Sequence, residues 1–319
     1  MSGKKWLLSA GHHHLFHIVA PIVARARGYF EQEGAGECEF FCSGSDARTI
    51  EGMIRGEYEI GLDPEPYLVC AAQSQGADLK IVGGWLNSPA YAFIAARARG
   101  IRSLNDLAGK KISVREPDGI DTRFVRALFR REGLDADSMV QWVVKGSRSR
   151  GFQQPVLDSG EADAAMIILQ DAWGMVEDGY PMLADLSKVY PQGYAVRITA
   201  ARGDVVRNEP GRLTGLLRAL IRAYRFMNQN YRETMRIVAA SGHGLDRDMD
   251  PSLWDTKYHM FERIPQDGSV NETGLRLVIE EEKTTGKLPP DFSMEAVLMD
   301  RFVKEAAASV RERFGEGCE

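Results

Sequence analysis

A chain of 319 residues can bury a substantial core and is long enough for two domains, and 44% hydrophobic with 27% charged residues is the composition of a soluble globular protein. A formal net charge of −5 leaves no basic footprint for nucleic acid, so a nucleic-acid partner is not expected. The four cysteines, Cys38, Cys42, Cys70 and Cys318, are too sparse for a disulfide scaffold and read as free thiols, and no apolar run approaches the roughly 20 residues of a membrane span.

Taken in order, the chain alternates strand and helix patterns. Trp6 to Ala10 reads as a strand and Phe16 to Arg27 as a helix stopped by Gly28. Cys38 to Cys42 is a second strand, and the turn Ser43-Gly44-Ser45-Asp46 supplies an N-cap for the next helix. Gly56 to Leu62 gives a third strand, and Asp63-Pro64-Glu65-Pro66 opens a helix over Tyr67 to Gln75, since proline and acids suit a first helical turn. Leu79 to Trp85 is a further strand, broken by Gly83-Gly84. This βαβαβαβ order argues for a mostly parallel sheet.

A second unit begins at the strand Tyr91 to Ala96. Strands over Ile112 to Val114, Val140 to Val144 and Ala164 to Ile168 follow, with helices over Asp121 to Arg131 and around Gln154 to Gly160. The alternating tract Ala195 to Ala201 can return the chain to the first domain. Arg212 to Asn230, Glu233 to Ala240 and Met294 to Phe314 read as long helices. The division is thus 1–88 with 197–319 as one lobe and 89–196 as an inserted second lobe, a layout whose cleft suits a small molecule.

The first strand-to-helix corner is the main candidate site. Four of the six histidines, His12, His13, His14 and His17, sit there after Gly11, where a helix N-terminus offers free N–H groups and a positive dipole end. A helix starting near His13 puts His13 and His17 on one face, and these two with a carboxylate from Asp63 or Glu65 could hold a divalent metal ion. Neutral imidazoles at His13, His14 and His17 would equally serve proton transfer or metal-free ligand contact, and some of the four could be packing residues. His243 and His259 are isolated and read as surface or packing residues. No Gly-rich phosphate loop, Gly-x-Ser-x-Gly elbow or Cys-x-x-Cys pair is present.

Four stretches then carry a resemblance: Ala24-Arg25-Ala26-Arg27-Gly28-Tyr29-Phe30-Glu31-Gln32-Glu33-Gly34, Gly56-Glu57-Tyr58-Glu59-Ile60-Gly61, Ile101 to Ile112 with Ser103-Leu104-Asn105-Asp106-Leu107-Ala108-Gly109 at its centre, and Leu157-Asp158-Ser159-Gly160-Glu161-Ala162-Asp163-Ala164-Ala165. In this order they resemble the type II periplasmic-binding-protein fold, and within it the group of nitrate, sulfonate and taurine solute-binding components and NMT1/THI5-like proteins. The resemblance implies an α/β protein of two lobes, with mixed sheets flanked by helices, and here a helical C-terminal tail. It also implies that loops after the strands touch the ligand: Gly11 to His14, Ser43 through Ser45 to Asp46, Asp63 through Glu65 to Pro66, Arg115 through Asp121 to Thr122, Lys145 to Arg148, and Leu169-Gln170-Asp171. Arg115 and Lys145 could bind a carboxylate, sulfonate or phosphate, or remain solvated loop charges. Trp85, Tyr91, Trp173 and Tyr194 could wall a cleft for an aromatic ligand or belong to the core.

Two functions follow. One is a solute-binding protein of an ABC transporter, closing its inter-lobe cleft on a small organic anion or an aromatic or heterocyclic ligand and handing it to a permease. The other is a cytoplasmic enzyme on the same fold, a decarboxylase or hydrolase of a small aromatic acid working through the His12 to His17 corner. Thiamine-precursor synthesis would need the family's cysteine-rich iron motif, which the sequence lacks. With no basic and apolar leader at its start, the chain as written is expected in the cytoplasm, or in the periplasm if a leader preceded the present first residue.

Overall fold

The computed structural model describes residues 5–243, 261 and 263–318. His259 lies outside the described residues. The chain forms two compact units, Met1–Ser88 with Gln192–Glu319, and Pro89–Pro191. Ten strands are present among the described residues: β1 (Trp6–Ala10), β2 (Cys38–Cys42), β3 (Ile60–Gly61), β4 (Leu79–Leu86), β5 (Tyr91–Ala95), β6 (Lys111–Val114), β7 (Gln141–Val144), β8 (Ala164–Ile168), β9 (Met182–Asp185) and β10 (Arg197–Arg202).

The first unit holds a five-stranded sheet ordered β2-β1-β3-β10-β4. β1 pairs in parallel with β2, Trp6 opposite Cys38, and with β3, Leu8 opposite Ile60. β10 is antiparallel to both β3 and β4, so the sheet is mixed rather than mostly parallel. Because helices cover a parallel strand on both faces, β1 is buried almost throughout, at Trp6, Leu8, Ser9 and Ala10. The carboxyl ends of β1 and β3 and the start of β10 come to one edge of this sheet, the edge on which doubly wound sheets carry their ligand loops.

The glycine pair of β4 does not break the strand. Gly84 instead admits a second backbone: its N–H donates to the Gly268 carbonyl at 2.8 Å, and a Cβ there would come 2.0 Å from the Ser269 oxygen. β3 is shorter than the pattern predicts, because Gly56, at φ +78°, ends the preceding helix in a turn that Glu57 closes onto the Gly52 carbonyl.

The C-terminal tail departs further from expectation. Met294 to Phe314 is not one helix: Val297 and Met299 bond to Ile81 of β4, each at 2.8 Å, which holds Leu298 beside the strand, and the helix starts afresh as Arg301–Phe314. A helix over Glu272–Thr284 was not legible in the pattern. The long helix Pro210–Gln229 ties this tail down through buried arginines. Arg222 donates to the Cys318 carbonyl at 2.9 Å and Arg225 to the Gly315 carbonyl at 2.7 Å. Arg222 and Arg218 also reach the fully buried Glu33 carboxylate, at 2.7 and 3.0 Å, and Arg313 grips the same group at 2.6 Å.

The second unit holds a sheet ordered β7-β6-β8-β5-β9. β6 is parallel to β7 and β8, while β5 is antiparallel to β8 and β9. Its core gathers Ala92, Ile94, Ala165, Ile167, Leu169 and Met175, the inward face of the two central strands and the helix behind them. β9 escaped the sequence pattern because Met182, Leu183 and Ala184 are all partly buried at a sheet edge, with no alternation to read. The helix expected from Gln154 begins earlier, at Arg150, and holds Pro155 within it.

All four cysteines are free thiols. Burial pushes Cys38 and Cys70 up to about 12 and Cys42 to about 11, so none is a ready thiolate. No helix among the described residues is long and apolar enough to cross a membrane.

Candidate functional site

The site is built on the edge of the first sheet where β1, β3 and β10 end or begin. β1 stops at Gly11, and the chain crosses His12 and His13 before the helix Leu15–Ala26. His14 is that helix's N-cap: its backbone is extended and its Nδ1 accepts from the Phe16 N–H at 3.2 Å. This corrects the expectation of a helix beginning near His13. His13 therefore lies off the helix and is exposed, while His17 falls in the first turn.

His17 points to the loop after β3. Its Nδ1 meets the Asp63 Oδ2, and the other Asp63 oxygen accepts from the Gly11 N–H at 3.4 Å. Asp63 is wholly buried. Burial pushes its carboxyl up to about 6, with the Arg197 guanidinium and the Gly11 N–H opposing the rise. A carboxylate set against one imidazole nitrogen fixes which tautomer the ring adopts and which nitrogen it presents outward.

Arg197 enters from the start of β10 and is only 3% exposed. It pairs with Asp46 Oδ2 through Nη1, reaches Glu65 Oε1 at 3.3 Å through Nη2, and donates to the Asp63 carbonyl at 3.2 Å. Asp46 also faces His12, with 3.8 Å between His12 Nε2 and Oδ2. The rings of His12 and His14 stand edge-on to His17, at centroid distances of 5.3 and 5.9 Å. Beneath them Ser9, Ser43 and Thr49 share hydroxyl hydrogen bonds of 3.0 and 2.8 Å. Ser45 caps the helix Asp46–Ile54 by accepting from the Arg48 N–H at 3.2 Å, and this capped start delivers Asp46 to the corner.

The corner thus brings together Gly11, His12, His14, His17, Ser43, Asp63 and Glu65 of the residues expected from sequence. It does not assemble the metal set of His13, His17 and Glu65. His13 is exposed, Glu65 is turned onto Arg197, and His17 is turned onto Asp63. Among the described residues no group of three or more His, Cys, Asp or Glu side chains is disposed to hold a metal ion.

Arg197 was missed by sequence reasoning. The signal for Arg197 was available: a lone arginine heads the apolar tract Ile198 to Ala201, and a charge at the mouth of a buried strand needs partners. Asp46, the end of the expected loop Ser43 to Asp46, is held in the corner by that arginine. His243, in contrast, behaves as a packing residue, stacked on Phe40 with its Nε2 3.2 Å from Arg25. Burial and the neighbouring arginine hold its pKa below the usual histidine value.

The remaining expected residues lie in the second unit. Arg115, at the end of β6, has its backbone N–H on Asp121, and its side chain lies 3.5 Å from Glu116. Asp121, at the start of the helix Ile120–Arg131, also binds Arg148 at 3.1 Å, and Arg148 lies 5.5 Å over the Tyr91 ring. Thr122 donates to the Glu116 carbonyl at 2.6 Å. Lys145 pairs with Glu161 at 2.5 Å. Gln170, in the first turn of the helix Leu169–Glu177, keeps a buried Oε1 with no hydrogen-bond partner. Of the four aromatic candidates, Trp85 and Tyr194 are core residues, while Trp173 is 46% exposed.

Comparison with known proteins places this architecture. Among solved structures, the alkanesulfonate-binding protein SsuA of Xanthomonas axonopodis pv. citri superposes with a TM-score of 0.68 at 14% identity, covering 94% of this chain and 99% of that one. The periplasmic aliphatic sulphonate-binding protein SsuA of Escherichia coli gives 0.70 at 13% identity, covering 94% and 93%. The periplasmic nitrate-binding protein NrtA of Synechocystis gives 0.63 at 13% identity, covering 96% and 89%. These similarities establish the two-lobed α/β fold that the sequence motifs imply. A search of curated protein sequences returns no match. The family model described as NMT1/THI5 like matches residues 16–234, well over half of the chain and including His17, Asp46, Asp63, Glu65 and Arg197. The chain belongs to the NMT1/THI5-like family.

Proposed function

We propose that this protein is a solute-binding protein that captures a small organic molecule and presents it to an ABC-type importer, a role that places it on the outer side of the membrane. The observation that carries this reading is the buried corner of Asp46, Asp63, Glu65, Arg197, His12 and His17, at the strand ends where this family's fold offers its ligand loops. Buried polar groups held in fixed positions by one another are preorganised to recognise a polar ligand with little reordering. Within the second unit, Arg115 and Arg148 beside the start of the helix Ile120–Arg131 are groups of the kind that bind an anion, with Tyr91 under Arg148.

The enzyme reading is less well supported. It asked the histidines to gather round a metal, and among the described residues they are instead engaged with carboxylates or with capping. The test is a thermal-shift screen of the purified protein against small organic acids, amines and heterocycles, followed by calorimetry. A genuine solute at about a hundred times its Kd stabilises the folded state by roughly 2.7 kcal/mol. Saturable binding with no chemical change in the recovered ligand supports the proposal, and turnover of the ligand overturns it.

A further inference from the structure

The ring of His243 makes a contact that only its uncharged form can make. We propose that it is an acid-sensitive latch of the first unit: uncharged, it holds the end of the helix Tyr231–Ala240 to β2 and to Arg25, and charged, it lets go.

Geometry carries the proposal. The imidazole lies just beyond that helix and stacks on Phe40 of β2, with ring centroids 5.0 Å apart and planes inclined by 30°. Phe40 is 4% exposed, and the guanidinium of Arg25 sits over the same ring at 4.7 Å. Arg25 comes from the last turn of the helix Leu15–Ala26, against which Tyr231–Ala240 packs, and its Nη2 is 3.2 Å from His243 Nε2. A guanidinium has donors and no lone pair to offer, so Nε2 is the acceptor and the neutral ring carries its proton on Nδ1. A second proton goes onto Nε2 itself. It removes this hydrogen bond and sets two cations in contact.

The surroundings work in the same direction. Burial, then Arg25 from the helix and then His13 from the loop after β1, all press the ring toward its neutral form. From β2 the ring meets the face of Phe40, already occupied by Arg25, and the neighbouring carboxylate of Glu39 is paired with Lys5 at 2.6 Å. On its own segment, the His243 backbone N–H donates to the Ser241 hydroxyl at 3.4 Å. The contribution of the latch is therefore present above about pH 6.5 and is lost as pH falls through the lower value of the folded ring. The helix that Arg25 ends carries His14 and His17 at its other end, so the latch bears on the same helix as the candidate site. It works in the ligand-free protein.

The test is hydrogen exchange of the backbone amides of Tyr231–Ala240 between about pH 7.5 and about pH 5, corrected for intrinsic rates, with the His243 ring titrated by NMR. In the native protein protection is expected to fall, by up to about tenfold for each pH unit by which the ring titrates below 6.5. In His243→Phe, which keeps a stacked ring but takes no proton, it should stay within about twofold. Arg25→Met should move the midpoint of the ring back toward 6.5 and shrink the fall. If His243→Phe already lowers protection at neutral pH, His243→Gln, equally uncharged, carries the same comparison. A native ring that titrates at or above 6.5, protection that does not fall, or a fall that persists in the uncharged variants each overturns the proposal.

Discussion

The imidazole of His17 and the carboxylate of Asp63 meet across 46 residues of sequence, in a place where the carboxylate has no exposure at all. The ring joins the first turn of a helix to the loop after β3, so the pair fastens the ligand loops to each other as well as fixing the ring. An acid in that position has a distinctive influence on stability.

Asp63 titrates near 6 in the folded protein, against 3.8 for an ordinary aspartate, because burial disfavours its charge. A carboxyl raised in the folded state contributes stability that is fully present below pH 3.8 and is lost as pH rises through about 6. The loss amounts to roughly 3 kcal/mol. Urea midpoints measured from pH 4 to 7 should fall for the native protein relative to Asp63→Asn. A rise instead would mean that a charged His17 holds the carboxylate ionised.

Arg197→Met should be among the most damaging single changes in the first unit. It removes the guanidinium between Asp46 and Glu65 and leaves both carboxylates buried, at a cost of about 3–5 kcal/mol. Denaturant unfolding checks this directly. A variant within 1 kcal/mol of the native protein, about the cost of an ordinary surface change, would mean that the acids find other partners.

Gly11→Ala tests the closeness of the corner. The added methyl group overlaps Asp46 Oδ1, and either the aspartate or the backbone must move, for about 1–3 kcal/mol. Combined with Asp46→Ala the two changes should be non-additive, since the second removes the atom that the first collides with. A thermodynamic cycle on melting data reads that coupling, and simple additivity would refute the overlap.

Glu33→Gln should act far from the candidate site and in the opposite pH direction to Asp63. Burial works against its charge, but hydrogen bonds from Arg313, Arg222 and Arg218 prevail and hold its carboxyl below the usual range. Its contribution is present above about pH 4.5 and lost as pH falls. The variant should lose about 3–5 kcal/mol at neutral pH, leave ligand affinity unchanged, and show a shallower acid limb in pH-dependent unfolding.

Much of this was readable in the residues. β1, β2 and β8 follow their apolar runs, and the N-cap at Ser45 and the histidine corner came from local chemistry. What was not readable depends on distance along the chain. Met294 to Phe314 has helical periodicity throughout, and only β4, some 200 residues earlier, draws Leu298 out of it. The helix start at Leu15 in place of His13 turns on one side chain, His14, accepting a backbone N–H. Arg197 was passed over because its carboxylate partners lie more than 130 positions away, and its meaning exists only in the folded sheet.

The position of β10 between β3 and β4 bears on how the protein is made. Residues 1–88 emerge from the ribosome with Asp46, Asp63 and Glu65 already in sequence but without Arg197, and the whole second unit is synthesised before that arginine appears. β3 and β4 must wait for the strand that separates them, and the three acids wait for the cation that lets two of them be buried. The first unit therefore closes late, its last strand carrying the sheet's missing partner and the charge that its ligand corner requires.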